Sequence, residues 1–178
     1  SPECLTVEQH ERLFILNYPG GSRLNRTIGM IVTAMLTAKS GYKIGFQFDP
    51  YRIILDVPAR TTVKDLLAIL KGFVPEVGSL LRFAIKDSPS LKPQLLHSAR
   101  KMGAIAPDAD IGKFGMKKLM EAYSDTPLYT EAVERFLFHQ LDENGMEKFI
   151  HQINSGEITV KLSPKTPHGH AGLDPYRD

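Results

Sequence analysis

Around residue 60 the spacing of apolar residues changes, and with it the kind of structure the chain can build. Up to that point apolar and polar residues alternate in two pairs of short runs that flank one helical stretch. Leu5 and Val7 alternate with polar neighbours, and Leu13–Leu16 follows Gln9-His10-Glu11-Arg12, which predicts a hairpin over 4–18. Pro19-Gly20-Gly21 ends it. Leu24, Ile28, Ile31, Val32, Met35 and Leu36 then recur at helical spacing, with Ser22 as the expected N-cap and Gly41 as the stop, giving a helix over about 22–39. Ile44, Phe46 and Phe48 alternate, Asp49-Pro50 suits a type I turn, and Arg52–Val57 returns as a second hairpin strand. The order ββαββ implies a small antiparallel sheet covered by one helix.

From Thr61 onward the pattern is helical, punctuated by Gly and Pro. Val63, Leu66, Leu67 and Leu70 form one stripe, closed by Gly72; Val77, Leu80, Leu81, Ala84 and Ile85 form the next. Leu95, Leu96, Ala99 and Met102 follow and end at Gly103, and Ile111–Tyr123 reads as a further helix. Thr126 caps a helix with Pro127 in its first position, carrying Leu128, Ala132, Val133, Phe136 and Leu137 inward. After Met146, Phe149, Ile150 and Ile153, Ser155-Gly156 turns the chain into a strand, Glu157–Leu162, that can return to the first sheet. The expected class is therefore α+β: a ββαββ sheet plus a C-terminal strand, with a multi-helix bundle. Residues 1–60 form the hairpin/helix/hairpin part, 61–162 the helical part with its returning strand, and 163–178 an irregular tail. At 178 residues these parts are expected to share one compact domain.

Several functional classes drop out early. Apolar runs of five residues or fewer, such as Leu13–Leu16 and Leu66–Leu70, cannot span a bilayer, so a membrane partner is not expected and a cytoplasmic location is. One cysteine, Cys4, excludes an internal disulfide framework and a multi-cysteine zinc site. The chain starts at Ser1 without Met, and it is expected to be a piece of a longer protein.

The segment Asn17-Tyr-Pro-Gly-Gly-Ser-Arg-Leu-Asn-Arg-Thr-Ile-Gly29 raises the question of a phosphate loop, because a Gly-rich turn opening a helix offers free N–H groups. A nucleotide loop of the form G-x-x-x-x-G-K-S/T also needs its Lys and its magnesium-holding hydroxyl, and no such string occurs. Two readings remain. Gly20-Gly21 makes a tight turn while Gly29 allows close helix packing, or Arg23, Arg26 and the helix N-terminus meet a nucleic-acid phosphate.

Other candidates read as structural. Leu141-Asp-Glu-Asn144 precedes a helix, which makes Asp142 an N-cap rather than a magnesium ligand. His168, His170 and Asp174 have weak metal-site spacing, and His97, His139 and His151 fall within helical patterns without any readable triad. Asp49-Pro-Tyr-Arg52 returns as Asp174-Pro-Tyr-Arg177, read as two Asp-Pro turns.

Charge is more informative. Residues 86–118 carry seven Lys/Arg against three acids, whereas 119–157 carry two against eight, so one face can attract a polyanion that the other repels. With Leu95, Leu96, Ala99 and Met102 inward, His97, Arg100 and Lys101 lie on or beside the outer face, and Lys113, Lys117 and Lys118 follow on the next helix. Such a cluster either neutralises phosphates without reading sequence or is a solvated face. The aromatics Phe83, Phe114 and Tyr123 are expected in the core rather than as stacking platforms.

Five strings occur in a recognisable order: Gly21-x-x-x-Asn25-x-x-x-Gly29 after a hairpin, Asp49-Pro-Tyr-Arg-Ile53, His97-x-Ala-Arg-Lys-Met-Gly103, Thr126-Pro-Leu-Tyr-Thr-Glu-Ala132 and Ser155-Gly-Glu-Ile158. From about residue 4 to 162 the chain resembles the DEAD/H-associated domain of the large helicase-related (Lhr) proteins, superfamily 2 ATP-dependent helicases of archaea and bacteria. The resemblance implies a role alongside two RecA-like motor domains and a winged helix, in proteins that move 3′ to 5′ on single-stranded nucleic acid and unwind duplexes, including RNA:DNA hybrids. It implies a non-catalytic accessory domain that helps enclose the tracking single strand of DNA or RNA. ATP and magnesium would belong to the motor domains, with no cofactor in this segment. Arg100 and Lys101 match the family's basic motif as backbone contacts, and Asn25 matches the family's Asn as a contact or a turn-fixing residue. The alternative is a docking or dimerisation domain without nucleic-acid contact.

Overall fold

Alternation before residue 60 and helical spacing after it produce one sheet and one helical layer that share a long central helix. The computed structural model describes residues 3–72, 76–86 and 88–164. The metal-site spacing at His168, His170 and Asp174, the second Asp-Pro string and most of the expected tail lie outside the described residues. The elements are β1 (Glu3–His10), β2 (Leu13–Asn17), α1 (Ser22–Ser40), β3 (Gly45–Asp49), β4 (Arg52–Asp56), α2 (Val63–Lys71), α3 (Val77–Lys86), α4 (Leu91–Lys101), α5 (Lys113–Tyr123), α6 (Pro127–Gln140), α7 (Glu143–Ser155) and β5 (Ile158–Leu162).

The sheet runs β3-β4-β2-β1-β5. Four strands are antiparallel neighbours, with Leu16 opposite Val7 on one side and Ile53 on the other. β5 departs from this pattern and joins β1 in parallel, Val160 opposite Leu5. A parallel neighbour needs a long crossover, and the helical stretch α2–α7 supplies it.

Leu5, Val7, Phe14, Leu16, Ile53 and Leu55 are wholly buried, and α1 lies against the sheet through β3 and β4. α2, α3 and α7 cover the other side of α1, so its residues from Ile28 to Thr33 are all buried. Helices this enclosed must satisfy their polar side chains internally. Thr27 and Thr33 do so by donating to the carbonyls of Arg23 and Gly29, each at 2.7 Å.

Glycine sets two of these contacts. Gly21, at φ 85°, is the N-cap of α1 in place of the expected Ser22, which is the first helical residue. No capping hydroxyl is used there, because the left-handed turn brings the Gly21 N–H onto the Pro50 carbonyl at 3.0 Å. Gly29 lies under β3, and a Cβ there would stand 2.4 Å from the Phe46 ring.

Two apolar residues expected inside are outside. Met102 is 59% exposed because α4 ends at Lys101 and Gly103, at φ 76°, turns the chain away. Phe83 is 61% exposed because the buried stripe of α3 is Val77, Leu81 and Ile85, leaving Phe83 off its face. Among the described residues no helix is long and apolar enough to cross a membrane.

Candidate nucleic-acid interface

Three expected site residues lie on α1, and there the structure turns inward. Asn25 is fully buried, and its Nδ2 donates to the carbonyls of Tyr18 and Asp49, both at 2.9 Å. It therefore joins the exit of the first hairpin to the turn of the second, and as a phosphate contact it is corrected: no surface of it faces solvent. Arg23 donates from Nη2 to the carbonyls of Phe138 and Leu141, capping the end of α6. Arg26 donates to Gln140 at 2.9 Å and lies 5.5 Å from the centre of the Phe48 ring and 5.2 Å from that of Phe136. Burial pulls its pKa below the usual arginine value. Both arginines thus tie α1 to α6, and Asp142 N–H reinforces the junction by donating to Thr27 Oγ1 at 2.9 Å. Asp142 also caps α7, its carboxylate accepting from Gly145 N–H at 2.9 Å.

The basic segment has a different character. Leu91, Leu95, Ser98 and Ala99 are the buried face of α4, which packs on α6 and α5. Lys92 and Lys101 are left exposed on α4 with His97, also exposed, beside them, and Lys113, Lys117 and Lys118 are exposed on α5. None of the ion pairs among the described residues involves Lys92, Lys101, Lys113 or Lys117. Arg100 is partly withdrawn: its Nη2 donates to the Ala109 carbonyl at 2.7 Å, pinning the α4–α5 connection, and its buried Nε has no hydrogen-bond partner. Its role here is to hold the loop, which leaves Lys101 as the outward cation of the pair. Beyond α5 the sign reverses, and Glu134 and Glu143 both reach Arg82, at 2.8 and 3.7 Å.

A third feature escaped the sequence. Between α1, β3 and the α3–α4 connection lies a cleft of about 690 Å³, walled by Phe46, Phe48 and Phe83, floored by Met30, and edged by Arg26 and Lys43. Among the described residues that line it, none is acidic. Phe83 carries the only sequence signal available, its two-residue offset from Leu81 and Ile85. Phe48 gives none, because β3 alternates correctly and only its place at the sheet's edge exposes it.

Residues 1–167 match the family described as DEAD/H associated. Comparison with curated proteins gives no match. Among solved structures, the Mycobacterium smegmatis helicase Lhr bound to ssDNA and AMP-PNP has the same fold over 90% of this chain, with a TM-score of 0.69 and 15% identity. The match spans 22% of that helicase chain.

Proposed function

The chain belongs to the DEAD/H associated family, and from that premise we propose that it is the accessory domain of an Lhr-type ATP-dependent helicase, non-catalytic itself, that helps enclose and grip the single-stranded track. The observation that carries this reading is the row of lysines on α4 and α5, outside every ion pair among the described residues at Lys92, Lys101, Lys113 and Lys117. Cations free of carboxylate partners are available to phosphates, and their binding is independent of base sequence. A helicase must pass every sequence, so this is the chemistry a grip needs. The fold shared with a helicase bound to ssDNA supports it. ATP and magnesium belong, in this reading, to RecA-like motor domains, and those domains with the winged helix are its neighbours.

The test is a titration of fluorescent single-stranded DNA and RNA with the 178-residue chain at two salt concentrations. Binding at low salt that weakens sharply at high salt is expected. Undetectable binding at low salt would count against the grip. A second reading, a docking domain without nucleic-acid contact, is favoured by Phe138, 76% exposed within the segment where acids predominate. It predicts association with the helicase's own domains and no strand affinity.

A further inference from the structure

The cleft beside α1 has a composition that neither a structural void nor a purely apolar docking groove requires. Its volume of about 690 Å³ falls within the range of small-molecule sites, roughly 300–1,000 Å³. Phe48 and Phe83 stand in it with 37% and 61% of their surface exposed. The Phe46 and Phe48 rings are 6.1 Å apart and inclined by 38°, so they form a tilted wall rather than a closed stack. Arg26 lies over the Phe48 ring, and Lys43 is exposed at the rim. The Ser88–Ser90 segment is at once a wall of the cleft and the entry to α4, so the cleft adjoins the basic face.

We infer that this cleft receives one or more bases of a single strand, stacked on Phe48 and Phe83, with Lys43 toward the adjacent phosphates. The inference rests on the gripping role proposed above and adds to it a base-stacking subsite. Charge complementarity selects the occupant: aromatic walls with an exposed lysine at the rim, Lys43, and no acid among the described lining residues suit a ligand that is flat, apolar on its faces and anionic along its backbone. An apolar peptide would use the rings and leave Lys43 unmatched. Sequence tolerance follows, since every base has a π-face and the cleft's polar contribution is a few hydroxyls, Thr33, Thr37, Ser88 and Ser90.

The experiment compares a short oligo-dT with an abasic strand of equal length and charge, binding each to the 178-residue chain at low salt. The base-bearing strand is expected to bind on the order of tenfold more tightly. Phe48→Ala and Phe83→Ala should each remove most of that difference, and Phe83→Tyr should restore it. Thermal melting of each variant confirms that it is folded, which the exposure of both rings leads us to expect. If oligo-dT and the abasic strand bind equally and the Phe variants change nothing, while Lys101→Glu with Lys117→Glu abolishes binding, the subsite is wrong and the grip stands. If no strand binds the unaltered chain, both are wrong. If Phe83→Ala leaves strand affinity intact and instead weakens association with the helicase's motor and winged-helix domains, the cleft is a protein-docking groove and the inference fails.

Discussion

At the residue scale, spacing and role separate. The string Gly21-x-x-x-Asn25-x-x-x-Gly29 was legible as a motif, yet only packing tells what each member does. Gly29 is small because Phe46 lies 2.4 Å from where its Cβ would stand. Close packing at Gly29 is one of the two readings of the string, but its partner Phe46 comes from another element and no local pattern names it. Asn25 is amide rather than acid because its Nδ2 donates to two carbonyls, those of Tyr18 and Asp49. Asn25→Ala leaves those two carbonyls without their donor and should cost about 1–3 kcal/mol. Asn25→Asp should cost more, since it turns a carboxylate toward two carbonyl oxygens in a fully buried site. Urea unfolding checks both, and a stability loss no larger for Asp than for Ala would contradict this role for the amide.

At the element scale, helix ends were readable apart from the N-cap of α1, and helix surroundings were not. Thr126 with Pro127 and Asp142 cap α6 and α7 as their sequences indicate, because caps depend on neighbours within three or four residues. The parallel entry of β5 was not readable, since it depends on the path of every helix before it. The capping box of α2 links the two kinds of interaction. Asp65 accepts from the Thr62 backbone N–H at 3.0 Å and Thr62 Oγ1 accepts from the Asp65 N–H at 3.2 Å, while Lys39 at the end of α1 lies 3.0 Å from the same carboxylate. The Thr62 backbone bond first, then Lys39 and the Thr62 hydroxyl, lower the Asp65 pKa from 3.8 to about 2. The folded state therefore binds fewer protons than the unfolded state between these values, so this contribution to stability is complete above the unfolded value and disappears as the pH falls toward 2. Asp65→Asn should flatten that part of the stability profile, measured as urea midpoints across the acid range. An unchanged acid slope would show that the box does not carry it.

At the scale of the whole molecule, the uneven charge was the part of the candidate site that the sequence did disclose. Seven cations against three acids over 86–118 become a basic face on α4 and α5, although Arg100 leaves it to hold the α4–α5 connection. The arginines of α1 are drawn to the end of α6 instead, which offers them carbonyls and aromatic rings that are distant in sequence. The cleft was invisible for the same reason, being assembled from three separated segments. A sheet and a helical layer with α1 between them thus present a basic face adjoining an aromatic cleft, and the central claim is that a single strand runs there. The most direct measurement is the salt dependence of single-strand affinity for the unaltered chain and for Lys101→Gln with Lys117→Gln. Removing one lysine–phosphate pairing should reduce the log–log slope by roughly 0.7, so the double variant should bind more weakly and with a slope shallower by about 1.4. An unchanged affinity and an unchanged slope would place the strand elsewhere and contradict the account.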